Sequence, residues 1–161
     1  MDKIIEIFYE NPEKEFTVRE LAKIAKIPRS TAHKRLVKLK KEKLVSQDNK
    51  AMGSLLFKIK KTNFFTEKII ESGLIDALIT HFNPACIILF GSIRKGESTK
   101  ESDIDLFIES NIRKEFDFSK YETKLGYKIQ PFLEGDIKKL PEHLFNNIIN
   151  GIKLYGSIKI K

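Results

Sequence analysis

The sequence predicts two small domains. The N-terminal domain is mostly helical with a β-hairpin, and the C-terminal domain is α/β (α+β) with a mixed sheet. Three observations support this prediction. The formal net charge of +8 lies wholly in the first 62 residues, where 16 Lys/Arg face 8 Asp/Glu, while the other 14 basic and 14 acidic residues cancel. The basic segment shows helical periodicity with short breaks. The neutral segment contains an apolar run and a strand pattern in which acidic and aliphatic residues alternate.

The composition is typical of a soluble, cytoplasmic protein. Apolar residues make up 41% of the chain and charged residues 32%, and no apolar run approaches the roughly 20 residues that span a bilayer. The N-terminus lacks the apolar segment of a secretory signal. The single cysteine, Cys86, lies in an apolar run, as expected for a buried thiol in a reducing compartment. We therefore expect a cytoplasmic location and no membrane partner.

The domain boundaries are placed where charge and periodicity change. Residues 1–62 are predicted to form the basic domain and residues 83–161 the neutral domain. Between them, residues 63–82 read as two connecting helices that separate at Gly73. The chain has no Gly/Ser-rich linker there, which favours a rigid connection.

Three helices are predicted in the basic domain. The first covers residues 2–9, and the second begins at Thr17, which forms a capping box with Glu20. A break containing Pro28 separates it from the third helix, predicted from about residue 29 to residue 43. The buried face of the third helix is predicted to contain Ala32, Leu36 and Leu39.

A hairpin with strands at residues 44–47 and 55–60 is predicted to follow the third helix. A short helix, a tight break, a basic helix and a hairpin occur in the order of a winged helix-turn-helix domain, which residues 1–61 resemble. In such domains the last helix enters the major groove. The resemblance implies double-stranded DNA as a partner, contacted by Arg29, Ser30, Thr31, His33, Lys34, Lys38 and, at the hairpin tip, Lys50.

The lysines of this set would mostly contact phosphate, which gives affinity without reading sequence. Ser30, Thr31, His33 and Lys34 are better placed for base edges. The alternative is a solvated helical bundle, because runs of charge are usually solvent-facing. The order of the elements favours DNA binding over that alternative.

Two predicted strands of the neutral domain carry candidate functional residues. An apolar strand at residues 85–90 ends in Gly91 and Ser92. Asp103 and Asp105 alternate with aliphatic residues and so share one face of the second strand. Two ionised carboxylates so close together repel each other unless a cation lies between them. Glycine lets the backbone approach a phosphate, and serine offers a hydroxyl and an N–H to its oxygens.

The Gly91-Ser92 pair, a ten-residue spacer (Ile93 to Ser102) and Asp103-Ile104-Asp105 resemble the signature of the DNA polymerase β-type nucleotidyltransferases. The short chain resembles the minimal nucleotidyltransferases of bacteria and archaea, over about residues 83–155. The resemblance implies transfer of a nucleoside monophosphate from a nucleoside triphosphate, ATP being the expected one, with release of pyrophosphate. It implies catalysis and Mg²⁺ binding by the two aspartates, and nucleotide binding by Gly91, Ser92, Arg94 and Lys95.

Two parts of this resemblance stay open. Arg94 and Lys95 are equally well explained as solvated loop residues. The acceptor is unknown; relatives with the same spacing include antitoxins that transfer AMP to a partner protein, so a protein hydroxyl is one acceptor class.

The family also has a third carboxylate, and its place falls on Gln130 in a strand predicted at residues 127–133. A glutamine is neutral, so it binds metal more weakly and cannot act as a general base. Glu134 has the same strand parity but lies four residues further, about 13 Å along an extended strand.

Three hypotheses therefore remain. The chain is an enzyme that transfers a nucleoside monophosphate, or a catalytically weak or inactive nucleotide-sensing transcriptional regulator, or an inert dimerisation module. The third leaves the two aspartates without a purpose. Winged helices often act as dimers, so a homodimer is one alternative, although the sequence contains no recognisable dimer seam.

Overall fold

The computed structural model describes residues 2–159. This part of the chain divides into two compact units. The first unit takes the described residues up to Lys61 together with Ser98–Lys100, and the second takes Thr62–Glu97 and the described residues from Glu101 onward. The middle of the spacer therefore belongs to the first unit, although the motifs on either side of it belong to the second.

The first unit opens with three helices, α1 (Lys3–Glu10), α2 (Val18–Ala25) and α3 (Arg29–Lys41). The Asp2 side chain caps α1, and both hydrogen bonds of the predicted capping box between Thr17 and Glu20 are present at the start of α2. The three predicted helices are thus confirmed. Their apolar faces form a common core that includes Ile4, Phe8, Leu21, Ala32, Leu36 and Leu39.

The second strand of the predicted hairpin is wrong. Val45 and Ala51 form an isolated bridge, but residues 55–60 are helical and open the long helix α4 (Leu55–Glu71). The Ser54 hydroxyl accepts a hydrogen bond from the Phe57 N–H at 3.2 Å, which satisfies one of the free donors in the first turn. The buried aromatic residues then recur at helical spacing, at Phe57, Phe64 and Phe65.

Lys50, expected at the hairpin tip, lies just before Ala51 in the short turn that the Val45–Ala51 bridge closes. Its carbonyl accepts a hydrogen bond from the Ser46 N–H at 2.8 Å. Its ammonium group is 3.0 Å from the Glu13 carboxylate. A side chain paired with an acid presents less positive charge to a polyanion than the sequence suggested.

The second unit contains a four-stranded sheet and its covering helices. Helix α5 (Leu74–Phe82) follows Gly73, whose φ of +82° ends α4, so the predicted helix break is confirmed. The remaining elements are β1 (Cys86–Phe90), α6 (Gly91–Lys95), β2 (Ile104–Glu109), α7 (Ser119–Leu125), β3 (Ile129–Glu134), a 3-10 turn (Ile137–Lys139), α8 (Glu142–Ile149) and β4 (Ile152–Gly156). No helix within residues 2–159 has both the length and the apolar character to cross a membrane.

The strand order is β3-β2-β1-β4, with β2 and β3 parallel and the other two pairs antiparallel. This confirms the predicted mixed sheet. Strand β3 pairs with one neighbour only, and its central Pro131 fits such an edge position because proline has no N–H to donate.

One face of this sheet is apolar at one end and polar at the other. Phe90, Asp105 and Gln130 lie in one row across β1, β2 and β3. Further along the same face, an apolar cluster packs under α8; it contains Cys86, Ile88, Phe107, Ile137 and Ile148. This core also includes Phe90, and from Phe90 the row runs outward through the half-buried Asp105 to the exposed Gln130.

The single cysteine is buried, as its apolar context predicted. Cys86 is fully enclosed, with its Sγ 3.5 Å from a carboxylate oxygen of Glu109. Burial and the charge of Glu109 raise the pKa of this thiol to about 12. The thiol therefore stays protonated and serves as a small apolar side chain.

Candidate active site

Gly91 brings the end of β1 into direct contact with β2. Its φ of +72° lies in the left-handed region that favours glycine. The residue before it, Phe90, pairs with Asp105, and a Cβ atom on Gly91 would collide with the Asp105 carboxylate. The two halves of the sequence motif, ten spacer residues apart, thus pack against each other, and only glycine leaves the space for this.

The two aspartates influence each other. Asp103 lies exposed immediately before β2, and Asp105 is half-buried inside the strand. Burial, and after it the charge of Asp103, raises the pKa of Asp105. Both effects disfavour the ionised carboxylate, and a bound cation would oppose both.

The position beside Asp105 on the third strand is occupied by an amide. In the parallel pairing of β2 with β3, Asp105 lies opposite Gln130, whose side chain is exposed. The sequence analysis placed the third carboxylate position of the family at Gln130. An amide oxygen accepts hydrogen bonds but cannot take a proton at neutral pH.

Glu134 does not replace the missing acid. It lies opposite Glu109, at the other end of the same strand pair. Its carboxylate accepts a hydrogen bond from the Gly135 N–H at 2.6 Å and lies 3.5 Å from the Arg113 guanidinium. Within residues 2–159, no group of three or more His, Cys, Asp or Glu side chains is arranged to hold a metal ion.

Two carboxylates are enough for one kind of metal ion. Mg²⁺ keeps several waters and is commonly held by one or two protein carboxylates together with the phosphates of a substrate. Asp103 and Asp105 provide this donor set, and the pKa of Asp105, raised by burial and then by the charge of Asp103, is one that such an ion would lower. The residues present fit Mg²⁺ bound together with a nucleotide better than Mg²⁺ bound alone.

The other nucleotide-binding candidates lie on α6. Ser92 occupies the first turn of this short helix and is partly exposed, as is Arg94, while Lys95 is exposed. Glycine ends the helix at Gly96. Contact of Ser92, Arg94 and Lys95 with phosphate remains a prediction.

Six of the seven candidate DNA contacts lie on α3 of the first unit. Arg29, Ser30, His33, Lys34 and Lys38 are exposed, and Thr31 is partly exposed. Four of them line a surface hollow of about 430 Å³ with Val18 of α2: Arg29, Ser30, His33 and Lys34. The ammonium group of Lys38 lies 3.8 Å from the Glu42 carboxylate, one turn away on the helix.

Two buried polar residues on α4 were missed by the sequence analysis. Lys61 is completely buried and Thr62 nearly so. Both side chains bond to the spacer between the two motifs. In the sequence they end a basic stretch that looks solvated; only the four-residue step from the buried Phe57 places Lys61 on the inner face of the helix.

A glycine turn packed on paired aspartates in a mixed sheet is the arrangement that the resemblance to nucleotidyltransferases implies. A comparison with protein families agrees, because the family described as nucleotidyltransferase domain matches residues 71–161. This region is more than half of the chain and contains both motifs and all four strands of the described sheet. The chain belongs to the nucleotidyltransferase domain family. Neither the curated proteins nor the solved structures gave a significant match.

Proposed function

We propose that the second unit binds ATP with Mg²⁺ and transfers AMP to a hydroxyl group of an acceptor, a protein hydroxyl being one acceptor class. Family membership supports nucleotidyl transfer in general. The observation that carries the proposal is the packing of Gly91 on Asp105, which places a glycine turn suited to phosphate directly beside a pair of carboxylates suited to a divalent cation.

In the proposed reaction an acceptor oxygen forms a bond to the α-phosphorus, the bond from that phosphorus to the bridging oxygen breaks, and pyrophosphate leaves. Gly91 and Ser92 bind phosphate oxygens through backbone N–H groups and the serine hydroxyl. Asp103 and Asp105 would hold Mg²⁺, and the ion would neutralise charge at the phosphates. The acceptor proton passes to solvent, because Gln130 stands where a carboxylate would take it.

The first unit, in this proposal, is a winged helix-turn-helix domain that binds double-stranded DNA. Its support is the exposed basic and polar surface of α3, the packing of that helix on the capped helix α2, and the location of the entire net charge in residues 1–62. The protein would then carry its nucleotide chemistry to DNA, with a role in transcription regulation.

A second candidate function is a nucleotide sensor that regulates DNA binding with little or no catalysis. One specific observation favours it, the amide of Gln130 opposite Asp105. General base catalysis typically contributes about 10²- to 10⁴-fold in rate. A site without that group can retain binding while it loses most of its turnover.

One experiment separates the two functions. The full chain is incubated with α-labelled ATP, Mg²⁺ and candidate acceptors, beside the Asp103→Ala/Asp105→Ala double variant and a Glu134→Gln control at the other end of the sheet. Label on an acceptor with wild type and Glu134→Gln, and none with the double variant, supports transfer. Binding of Mg²⁺-ATP by wild type without any labelled acceptor supports the sensor, and absence of binding rejects both.

A further inference from the structure

Lys61 is a lysine enclosed in the interior of the first unit. None of its surface is exposed, and its Nζ donates a hydrogen bond to the backbone carbonyl of Ser98. Burial lowers the pKa of Lys61 to about 8, with the charge of Glu13 acting in the opposite direction. Enclosing an ammonium group is unfavourable, so a gain in stability does not explain why a lysine occupies this position.

The next residue of α4 makes a similar contact in the second unit. Thr62 is buried, and its hydroxyl lies 3.2 Å from each of two carbonyl oxygens, those of Ile93 and Arg94. These carbonyls belong to α6, which begins at Gly91. Two successive side chains of one helix thus hold the spacer at its beginning and at its middle, each contact lying within one compact unit.

The spacer links the two parts of the candidate site. Ser92 lies immediately before it, and Asp103 lies immediately after it. Sites for phosphate and metal depend on fixed geometry, and displacements near 1 Å can reduce activity about 10²-fold. A ten-residue segment with five exposed residues, at Lys95, Glu97, Thr99, Lys100 and Glu101, needs internal attachment to hold that geometry.

We propose that Lys61 and Thr62 are positioning residues that fix the spacer, and through it the relative placement of Ser92 and Asp103 for binding of the metal-nucleotide complex. This inference rests on the proposed nucleotide function of the site. Neither residue touches the nucleotide. They act through the carbonyl groups of Ser98, Ile93 and Arg94.

The test compares Lys61→Met and Thr62→Val, which remove the donors and keep side-chain size, with Thr62→Ser, which keeps the hydroxyl. Lys60→Met, an exposed neighbour on the same helix, is the matched control. Amide hydrogen exchange across residues 93–102 is measured on the full chain without nucleotide, and affinity for Mg²⁺-ATP by calorimetry. Both removals should speed exchange about tenfold and weaken binding about tenfold, while Thr62→Ser and Lys60→Met stay near wild type.

The outcomes are distinguishable. Unchanged exchange in both removal variants overturns the proposal, as does faster exchange with unaltered Mg²⁺-ATP affinity. Loss of thermal stability in step with affinity would show a merely structural role and also overturn it. If wild type itself fails to bind Mg²⁺-ATP, the proposed function fails, and the fixing of the spacer is then decided by exchange alone. Thr62→Val changes no charge, so it provides the answer even where Lys61→Met fails to fold.

Discussion

Asp105 in the second unit and Lys61 in the first unit are ionisable groups of opposite sign, and burial acts against the charge of both. It raises the pKa of Asp105 and lowers the pKa of Lys61 to about 8. Their surroundings differ. Asp105 is half-exposed beside a second carboxylate, whereas Lys61 is enclosed and bonded to a backbone carbonyl.

This difference distinguishes a candidate ligand-binding residue, Asp105, from a buried residue with a structural contact, Lys61. A cation from solution can relieve the unfavourable charge at Asp105, so ligand binding and the local electrostatics are coupled there. The Lys61 ammonium group instead donates a hydrogen bond to a fixed group of the protein, the Ser98 carbonyl. An unfavourable buried charge therefore indicates ligand binding only where the group is open to solvent and a matching partner is missing.

The largest expected effect concerns the pH dependence of stability at Lys61. With a pKa of about 8 in the folded chain and 10.5 as the ordinary value, the unfolded chain binds the extra proton between these two values. The free energy of unfolding therefore rises with pH over this interval, by about 3 kcal/mol from this residue. Below pH 8 the folded chain retains the charged, unfavourable form.

Lys61→Met removes this titration, so the difference in unfolding free energy between variant and wild type should change by about 3 kcal/mol between pH 7 and 10.5. The unfolding free energy of the variant, relative to that of wild type, should be highest at pH 7. Denaturant unfolding of both proteins at matched pH values gives this difference, and titrations common to both cancel. The negative charge of Glu13 raises the pKa of Lys61, so Glu13→Gln should lower that pKa further. A pH-independent difference would contradict the low pKa of Lys61.

On the side of Asp105, Gln130→Asp tests whether the missing acid limits the chemistry. A carboxylate opposite Asp105 could bind the metal and accept the acceptor proton, so we expect transfer of labelled AMP to rise about 10²-fold. Gln130→Asn, neutral and of the same length as the aspartate, is the control. Equal rates for the two variants would mean that proton removal does not limit the reaction.

Much of the fold was predictable because short-range patterns determine it. The capping box at Thr17 and the apolar spacing of α3 located two helices, and the apolar run before Gly91 located β1. Residues 55–60 were misassigned to a strand because six residues with mixed apolar and basic side chains satisfy either period. Ser54 was the signal that could have corrected this, since its hydroxyl caps the helix.

The candidate site was predictable where it is a motif and unpredictable where it depends on packing. The motif spacing singled out Gly91, Asp103 and Asp105 as candidates, and the structure packs Gly91 on Asp105 and pairs Asp105 with Gln130, while the roles of these residues stay predictions. A Cβ atom on Gly91 would collide with Asp105 because of the register of β1 with β2, and this register cannot be predicted from the local sequence. Lys61 was missed because lysines are usually exposed.

Gly91→Ala tests that collision directly, with Gly73→Ala as the matched control. Both glycines have positive φ, +72° and +82°, so both substitutions strain the backbone by about 1 kcal/mol. Only the Cβ at position 91 would meet Asp105; at position 73 nothing lies within 4 Å. We expect Gly91→Ala to weaken Mg²⁺-ATP binding about tenfold, as a misplaced carboxylate would, while Gly73→Ala retains wild-type affinity. Equal affinity losses would show that strain alone is responsible.

The smallest expected effect concerns an exposed charge, Lys34 on α3. If this lysine contacts a DNA phosphate, Lys34→Ala should weaken duplex binding about fivefold at moderate salt and reduce the slope of log affinity against log salt by about one. Lys139→Ala, an exposed lysine of the neutral second unit, is the control and should change neither quantity. Binding is followed by fluorescence anisotropy of a labelled duplex between 50 and 200 mM salt, a range over which phosphate contacts of this kind weaken. An unchanged slope would exclude Lys34 as a phosphate contact and favour α3 as a solvated helix, because an exposed charge contributes to binding only through a partner of opposite sign.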